Sequence, residues 1–144
     1  MSAVKRKVCP ALLVTVLLLA GCMGSGTATT VDIKTQLVDR EWVAESILGD
    51  PVVDMSHTSI SFTDKGAVQG SGGCNRFSGS YILNGDVLSF GPMSATMMAC
   101  VPPLGDQEMR FFRALASPLK VKIENGLLYL VADDGRELIF AVQD

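Results

Sequence analysis

Two short segments contain the residues with the clearest chemical potential. Residues 73–81 read GCNRFSGSY, and residues 96–100 read TMMAC. The Arg76 guanidinium can present a planar fork to a carboxylate or a phosphate, whereas the Asn75 amide can hydrogen-bond to neighbouring backbone in a bend. We favour a structural interpretation, in which both residues secure the bend and Arg76 pairs with an acidic side chain. The candidate binding residues are Asn75, Arg76, Tyr81 and Thr96.

Other reactive side chains have plainer interpretations. His57 is the single histidine, and it follows Asp54 and Ser56 in a polar stretch. A catalytic triad needs three groups in spatial register and an oxyanion hole, so we interpret His57 as a solvated loop residue. Three methionines precede Cys100 closely, and their soft sulfur atoms could hold Cu(I). Methionine more often fills irregular cores, and that is the role predicted for Met93, Met97 and Met98.

The elements that must position these residues are mostly strands. Residues 58–63 alternate apolar and hydroxyl side chains, as a half-buried strand does. Asn84-Gly85 and Asn125-Gly126 each separate two strand-like runs, which predicts hairpins with type I′ turns. Gly73 and Gly79 predict a bulge or a sharp bend. The pattern predicts a mainly β fold of about eight antiparallel strands, forming a closed or cracked barrel without exposed edges.

One segment has helical rather than strand periodicity. Apolar residues recur on one face of residues 105–116, two prolines precede them, and Asp106 and Glu108 suit a first helical turn. We therefore predict one amphipathic α-helix over about 105–116. It should pack on the sheet through Phe112 and Leu115.

The two motif segments, with the Asn-Gly turn between them, resemble the META domain, also called the HslJ family of bacterial lipoproteins. The resemblance extends from Trp42 to Phe140. It implies a β-rich, barrel-like fold similar to that of pilot lipoproteins of secretion systems. Members of the family are associated with the heat-shock response and with antibiotic tolerance, so the resemblance also implies a role in envelope stress.

The first 21 residues have the layout of a signal peptide. Lys5, Arg6 and Lys7 precede an apolar run at residues 11–20. The tetrapeptide that ends at Cys22, LAGC, resembles a lipobox, which implies cleavage before Cys22 and attachment of acyl chains such as palmitate. The alternative is an ordinary signal peptide with a chance cysteine. Met23 follows the lipidated position, and by resemblance to enterobacterial sorting this favours the outer membrane.

After the anchor, residues 22–36 are rich in Gly, Ser and Thr and are predicted to be a flexible tether. Residues 37–144 then form the single META/HslJ-like domain. The full chain has 12 basic and 15 acidic residues, and removal of residues 1–21 leaves 9 against 15, a net charge of −6. This charge argues against nucleic acid as a partner.

Of the four cysteines, two remain for the domain. Cys9 leaves with the signal peptide and Cys22 takes the lipid, so Cys74 and Cys100 are left facing an oxidising periplasm. We predict that they form a disulfide; the alternative is two buried thiols packed as small hydrophobes. A zinc site is disfavoured because zinc takes four ligands at short spacings.

Together these features predict a non-enzymatic protein of the bacterial cell envelope. It should be held at the membrane by lipid on Cys22, face the periplasm, and act in envelope stress or antibiotic tolerance. Its activity would be the binding of an envelope protein or an apolar ligand. The alternatives are a small periplasmic hydrolase and a purely structural envelope module. No catalytic residue, metal or cofactor is predicted.

Overall fold

The structure is a computed structural model, and it describes residues 32–143. Within this range the chain forms two helices and nine antiparallel strands. The elements are α1 (Ile33–Leu37), β1 (Glu41–Ile47), β2 (Asp50–Pro51), β3 (His57–Phe62), β4 (Ala67–Gly73), β5 (Arg76–Asn84), β6 (Val87–Ala95), α2 (Pro102–Leu115), β7 (Leu119–Glu124), β8 (Leu127–Val131) and β9 (Glu137–Gln143).

Eight of the strands close into a ring. They are hydrogen-bonded in the order β1-β3-β4-β5-β6-β7-β8-β9, and β9 pairs back onto β1, which closes the ring. The ninth strand, β2, has two residues and pairs with β1 alone. This arrangement confirms the mainly β, barrel-like architecture predicted from the alternation of side chains and the tight turns.

The two Asn-Gly sequences make different turns. Glu124 pairs with Leu127, and both Asn125 (φ 53°) and Gly126 (φ 76°) have positive φ, as a type I′ turn requires. In the β5–β6 hairpin Asn84 is instead the last paired residue, and Gly85 (φ 63°) is the first turn residue. A glycine at that place is typical of a type II′ turn. The hairpin is therefore confirmed, but its turn type differs from the prediction.

The ring is weakest between β6 and β7. These strands pair only at Val87–Lys120 and Leu88–Leu119, so the second half of β6 has no strand on that side. Helix α2 packs mainly against β4, and its C-terminal end lies beside this gap. It begins at Pro102, three residues earlier than predicted, because two prolines occupy the first two helical positions, where the missing N–H is no loss.

The core lies inside the ring and beneath α2. Trp42, Ile60 and Phe140 are fully buried, and Phe111 from α2 joins them. The predicted packing of α2 on the sheet through Phe112 and Leu115 is confirmed, because Leu115 is buried and the Phe112 ring lies 5.4 Å from the Phe77 ring on β5. Phe112 is only half-buried at the edge of the core, and its neighbour Phe111 takes the central position, because Phe111 lies on the same helical face as the buried Leu115.

The N-terminal part of the described chain is more ordered than predicted. Residues 33–36 were assigned to the tether but form most of α1, whose first turn is capped by the Asp32 carboxylate and whose last residue, Leu37, is fully buried. The signal peptide, Cys22 and tether residues 22–31 lie outside the described residues. Neither of the helices within 32–143 combines the length and apolar character that a membrane crossing requires.

Candidate functional site

The two motif segments meet at the predicted disulfide. Cys74, in the bend between β4 and β5, is bonded to Cys100, just before α2, with Cα atoms 6.0 Å apart. The predicted pairing is thus present. Gly73 ends β4 with φ of 111°, and the β5–β6 register shifts after Gly79, so both glycines lie where the sequence predicts a bend or bulge.

A buried carboxylate of α2 holds the bend. Glu108 accepts hydrogen bonds from the backbone N–H of Cys74 at 3.1 Å and of Asn75 at 2.6 Å, and from Asn75 Nδ2 at 2.6 Å. Its position requires glycine opposite, because a Cβ at Gly72 would lie 2.6 Å from Glu108 Oε2. Glu108 is therefore a structural acceptor for the bend.

The prediction that Asp106 and Glu108 lie in the first helical turn is wrong. The helix starts early, so no acidic residue lies in its first turn. The signal that could have identified the role of Glu108 is the occurrence of a carboxylate on the same helical face as Phe111 and Leu115, which are both buried. A buried charge needs donors, and a glycine-rich bend supplies backbone N–H groups.

Asn75 connects the bend to the second motif segment. Its Oδ1 accepts from Thr96 Oγ1 at 2.9 Å and from the Met98 backbone N–H at 2.7 Å, and its Nδ2 lies 3.5 Å from Cys100 Sγ. With Glu108 on its other side, the amide is fully engaged. The structural interpretation of Asn75 therefore agrees with the geometry.

Tyr81 lies inside the fold. The side chain is 6% exposed, packs edge-on against Phe62, and donates its hydroxyl hydrogen to the Thr63 carbonyl at 2.7 Å. Burial, followed by the nearby carboxylates of Asp64 and Asp39, raises the pKa of the Tyr81 phenol. Tyr81 contacts neither Arg76 nor Thr96 through any of these groups, so it is a core residue rather than a binding residue.

Arg76 is exposed on the outer face of the ring. Within residues 32–143 no carboxylate lies within 4.0 Å of its guanidinium, so the predicted ion pair is not formed. The Arg76 backbone is instead fixed, because its N–H donates to Thr96 Oγ1 at 3.1 Å. Among the predicted binding residues, the structure thus brings Arg76 and Thr96 together at the surface.

Arg76 lines a polar recess of about 610 Å³ on strands β1 and β3–β6. At its far wall His57, the first residue of β3, hydrogen-bonds through Nε2 to Glu41 at 3.0 Å. His57 is exposed as predicted, but it is a strand residue with a partner rather than a free loop residue. The hydrogen bond from His57, and a second from Ser59, hold the pKa of the Glu41 carboxyl below its usual value.

An apolar cleft occupies the gap beside β6. It measures about 450 Å³ and lies between the second half of β6 and the end of α2. It is lined by Phe90, Gly91, Met93, Ala95, Phe112, Leu115 and Ala116. The prediction that three methionines fill the core is wrong for two of them: Met97 is 97% exposed and Met98 60% exposed. Their segment lies outside the ring, and the hydrogen bond from the Met98 backbone N–H to Asn75 holds it there.

The disulfide and Glu108 also form a cluster of metal-ligand atoms. The two sulfur atoms and a Glu108 oxygen lie within 4.8 Å of one another. Metal ions bind thiolates, and here each sulfur is bonded to the other while the carboxylate accepts three N–H bonds. With the disulfide formed, the sulfur atoms and the carboxylate oxygens are therefore engaged with other groups of the protein.

These features define the class of the protein. It is a mainly β domain with a ring of strands, in which a disulfide and the buried Glu108 carboxylate hold α2 against a glycine-rich bend. A family model for the META domain matches residues 35–144. The chain belongs to the META domain family.

Solved structures share this fold. A protein solved by NMR is 30% identical, with 76% of this chain and 93% of that chain covered and a TM-score of 0.64. An NMR structure of a protein from Burkholderia xenovorans is 28% identical, covering 76% and 86%, with a TM-score of 0.63. A DUF4847 family protein from Bacteroides vulgatus is 16% identical, with 78% of this chain and 99% of that chain covered and a TM-score of 0.56. At this identity the comparison shows similarity of fold alone. No curated protein matches the chain.

Proposed function

We propose that this chain is a lipid-anchored, periplasm-facing binding protein of the bacterial cell envelope, and that the apolar cleft between β6 and α2 holds a small apolar ligand. The observation that supports this most directly is the cleft itself. Its volume of about 450 Å³ falls within the roughly 300–1,000 Å³ typical of ligand pockets. Its lining includes two aromatic rings and a methionine, Phe90, Phe112 and Met93.

The free edge of β6 beside the cleft is poorly suited to pairing with another strand. Pro92 lies in the middle of this edge at the register shift, where β6 bulges, and the bulge bends the strand. A peptide strand from a partner protein would meet this interruption. Side-chain contacts inside the cleft, rather than backbone pairing along β6, therefore favour a small apolar molecule as the occupant.

A non-enzymatic role agrees with the way the motif residues are used. The two cysteines are bonded to each other, Asn75 and Glu108 hold backbone groups, and Ser59 supports the same carboxylate that His57 contacts. A hydrolase of the serine type would need the imidazole between the hydroxyl and the carboxylate. We therefore favour binding, in a role in envelope stress or antibiotic tolerance, over the hydrolase alternative.

The cleft predicts a specific pattern of photolabelling. In cells that express the full chain, a diazirine-bearing alkyl probe without a carboxyl group should label peptides that contain residues 87–95 or 111–116. Ala116→Phe should reduce this labelling several-fold, because the new ring fills the cleft from its exposed rim. The measurement is mass spectrometry of the digested protein.

Ala67→Phe is the matched control, because Ala67 is an exposed alanine on β4 outside the cleft. It should leave labelling unchanged. Labelling spread evenly over the chain, or equal in the two variants, would contradict an apolar ligand in the cleft and would favour the purely structural alternative. A labelled adduct between this chain and another protein would favour a protein partner instead.

Anchoring has its own prediction. If the LAGC sequence is a lipobox, then Cys22→Ser abolishes incorporation of labelled palmitate and leaves the signal peptide attached. The control is Cys9→Ser, which removes a cysteine of the signal peptide and should keep both lipid labelling and processing. Label that persists on the Cys22→Ser chain would disprove the anchor without bearing on the cleft.

A further inference from the structure

The polar recess is built from a row of side chains that runs across five strands. Cross-strand pairing places each member directly opposite the next, and the period of two along each strand turns them all to the outer face. The row consists of Glu41, Ser61, Gln69, Ser78 and Ser94. The inward row beside it contains Trp42, Ile60 and Phe77 of the core, so the outer row rests on a packed interior.

A second outward row runs parallel to the first. Ser59 is opposite Ser71, and Ser71 is opposite Arg76. Thr96 extends this row onto the next segment, because its backbone N–H donates to the Arg76 carbonyl at 3.0 Å. Both rows therefore place hydroxyl groups side by side over several strands.

The lengths of these side chains explain why a recess exists on the outside of a closed ring. Serines form the floor, whereas the long side chains of Arg76 and of the Glu41–His57 pair stand at its margins. Glu41 and His57 reach each other across Ser59, which leaves that serine only 4% exposed. The result is a trough of about 610 Å³, which shares only Ala95 with the lining of the apolar cleft.

The lining specifies what the trough can bind. The hydroxyls of the second row are engaged within the protein, since Ser59 bonds Glu41 and Thr96 bonds Asn75. In the first row, each serine hydroxyl can act as both donor and acceptor, which matches a ligand that carries hydroxyl groups of its own. Arg76 is the only Lys or Arg among the described lining residues, and its guanidinium has no carboxylate within 4.0 Å. It can therefore bind one carboxylate through its planar fork.

We infer that the outer trough binds a saccharide that carries a single carboxylate, with Arg76 on the carboxylate and the first row, through Ser61, Ser78 and Ser94, on the sugar hydroxyls. A polyanion is disfavoured, because Arg76 is the one Lys or Arg in the described lining, and the Glu41 carboxylate, which Arg76 attracts, also lines the trough. This site is separate from the apolar cleft, and the inference stands whether or not the cleft binds a ligand.

The test is calorimetric titration of the full chain in phosphatidylcholine nanodiscs. The probe is cellobiouronic acid, a disaccharide with one carboxylate, and the comparisons are neutral cellobiose and inorganic phosphate. The acid should bind at one site and more tightly than either comparison. Arg76→Gln should weaken it at least about tenfold, since a hydrogen bond to a charged group is lost.

Three further variants sharpen the result. Arg76→Lys should restore part of the affinity, because it keeps the charge but not the fork. Arg113→Gln removes an exposed arginine outside the trough and should leave binding unchanged. Ser78→Leu should abolish binding, because the larger apolar side chain would fill the base of the trough. Binding of the acid no tighter than cellobiose or phosphate, or unchanged affinity in Arg76→Gln, would overturn the inference.

Discussion

Phe111→Ala should lower the free energy of unfolding by about 3–5 kcal/mol, the range for truncating a buried phenylalanine. Phe111 is fully buried and stacks among three other rings, with centroids 5.4–6.5 Å away. These rings are Phe77, Phe112 and Phe140. Because Phe111 joins α2 to both β5 and β9, its removal leaves a cavity between the helix and the ring. Urea unfolding of the variant against the unaltered chain measures the loss.

Two neighbours on the same helix serve as controls. Phe112 is only half-buried, so Phe112→Ala should cost about 1–2 kcal/mol. Met109 is 54% exposed, and Met109→Ala should change stability by less than about 0.5 kcal/mol. Equal losses at Phe111 and Phe112 would mean that the helix does not pack with Phe111 innermost.

Glu108→Ala should be comparably destabilising, by about 3–5 kcal/mol, because it leaves three donors without their acceptor. These donors are the Cys74 and Asn75 backbone N–H groups and the Asn75 side-chain amide. The disulfide keeps the bend near the helix, so water reaches the freed groups only after local rearrangement. Urea unfolding gives the free energy, and amide hydrogen exchange at Cys74 and Asn75 reports whether the bend loosens.

Glu45→Ala is the matched control, because it removes a glutamate side chain that is exposed on β1. It should cost less than about 0.5 kcal/mol and leave exchange at the bend unchanged. Glu108→Gln should lower the free energy of unfolding by an amount between those of Glu108→Ala and Glu45→Ala. The glutamine keeps one carbonyl oxygen as an acceptor but directs its NH₂ group toward N–H donors. A Glu108→Ala chain as stable as Glu45→Ala would show that the carboxylate does not hold the bend.

Local patterns in the sequence were enough to predict most elements of the fold. The strand alternation, the two Asn-Gly hairpins and the helix near residues 105–116 all depend on residues close together in the chain. The disulfide could also be predicted, because two cysteines remained once Cys9 and Cys22 had been assigned elsewhere. Two element boundaries differ from the prediction: α2 begins at Pro102, and residues 33–36 form most of α1 rather than part of the tether.

Side-chain roles that depend on distant residues could not be predicted in the same way. The Glu108 carboxylate is 33 residues from Asn75 in the chain, and its role appears only when α2 packs on the β4–β5 bend. Met97 and Met98 are of a residue type that often fills cores, but both are exposed because their segment lies outside the ring.

By itself, therefore, the sequence determined the β-rich fold class, the helix and the pairing of Cys74 with Cys100. These follow from periodicity, from turn chemistry and from a count of the cysteines, each of which depends on a few residues. Only the tertiary structure decided the two recesses. The apolar cleft depends on where β6 loses its partner strand, and the polar trough depends on the register of five strands. Register is a property of pairing between strands, and a shift of one residue would turn the serine rows inward.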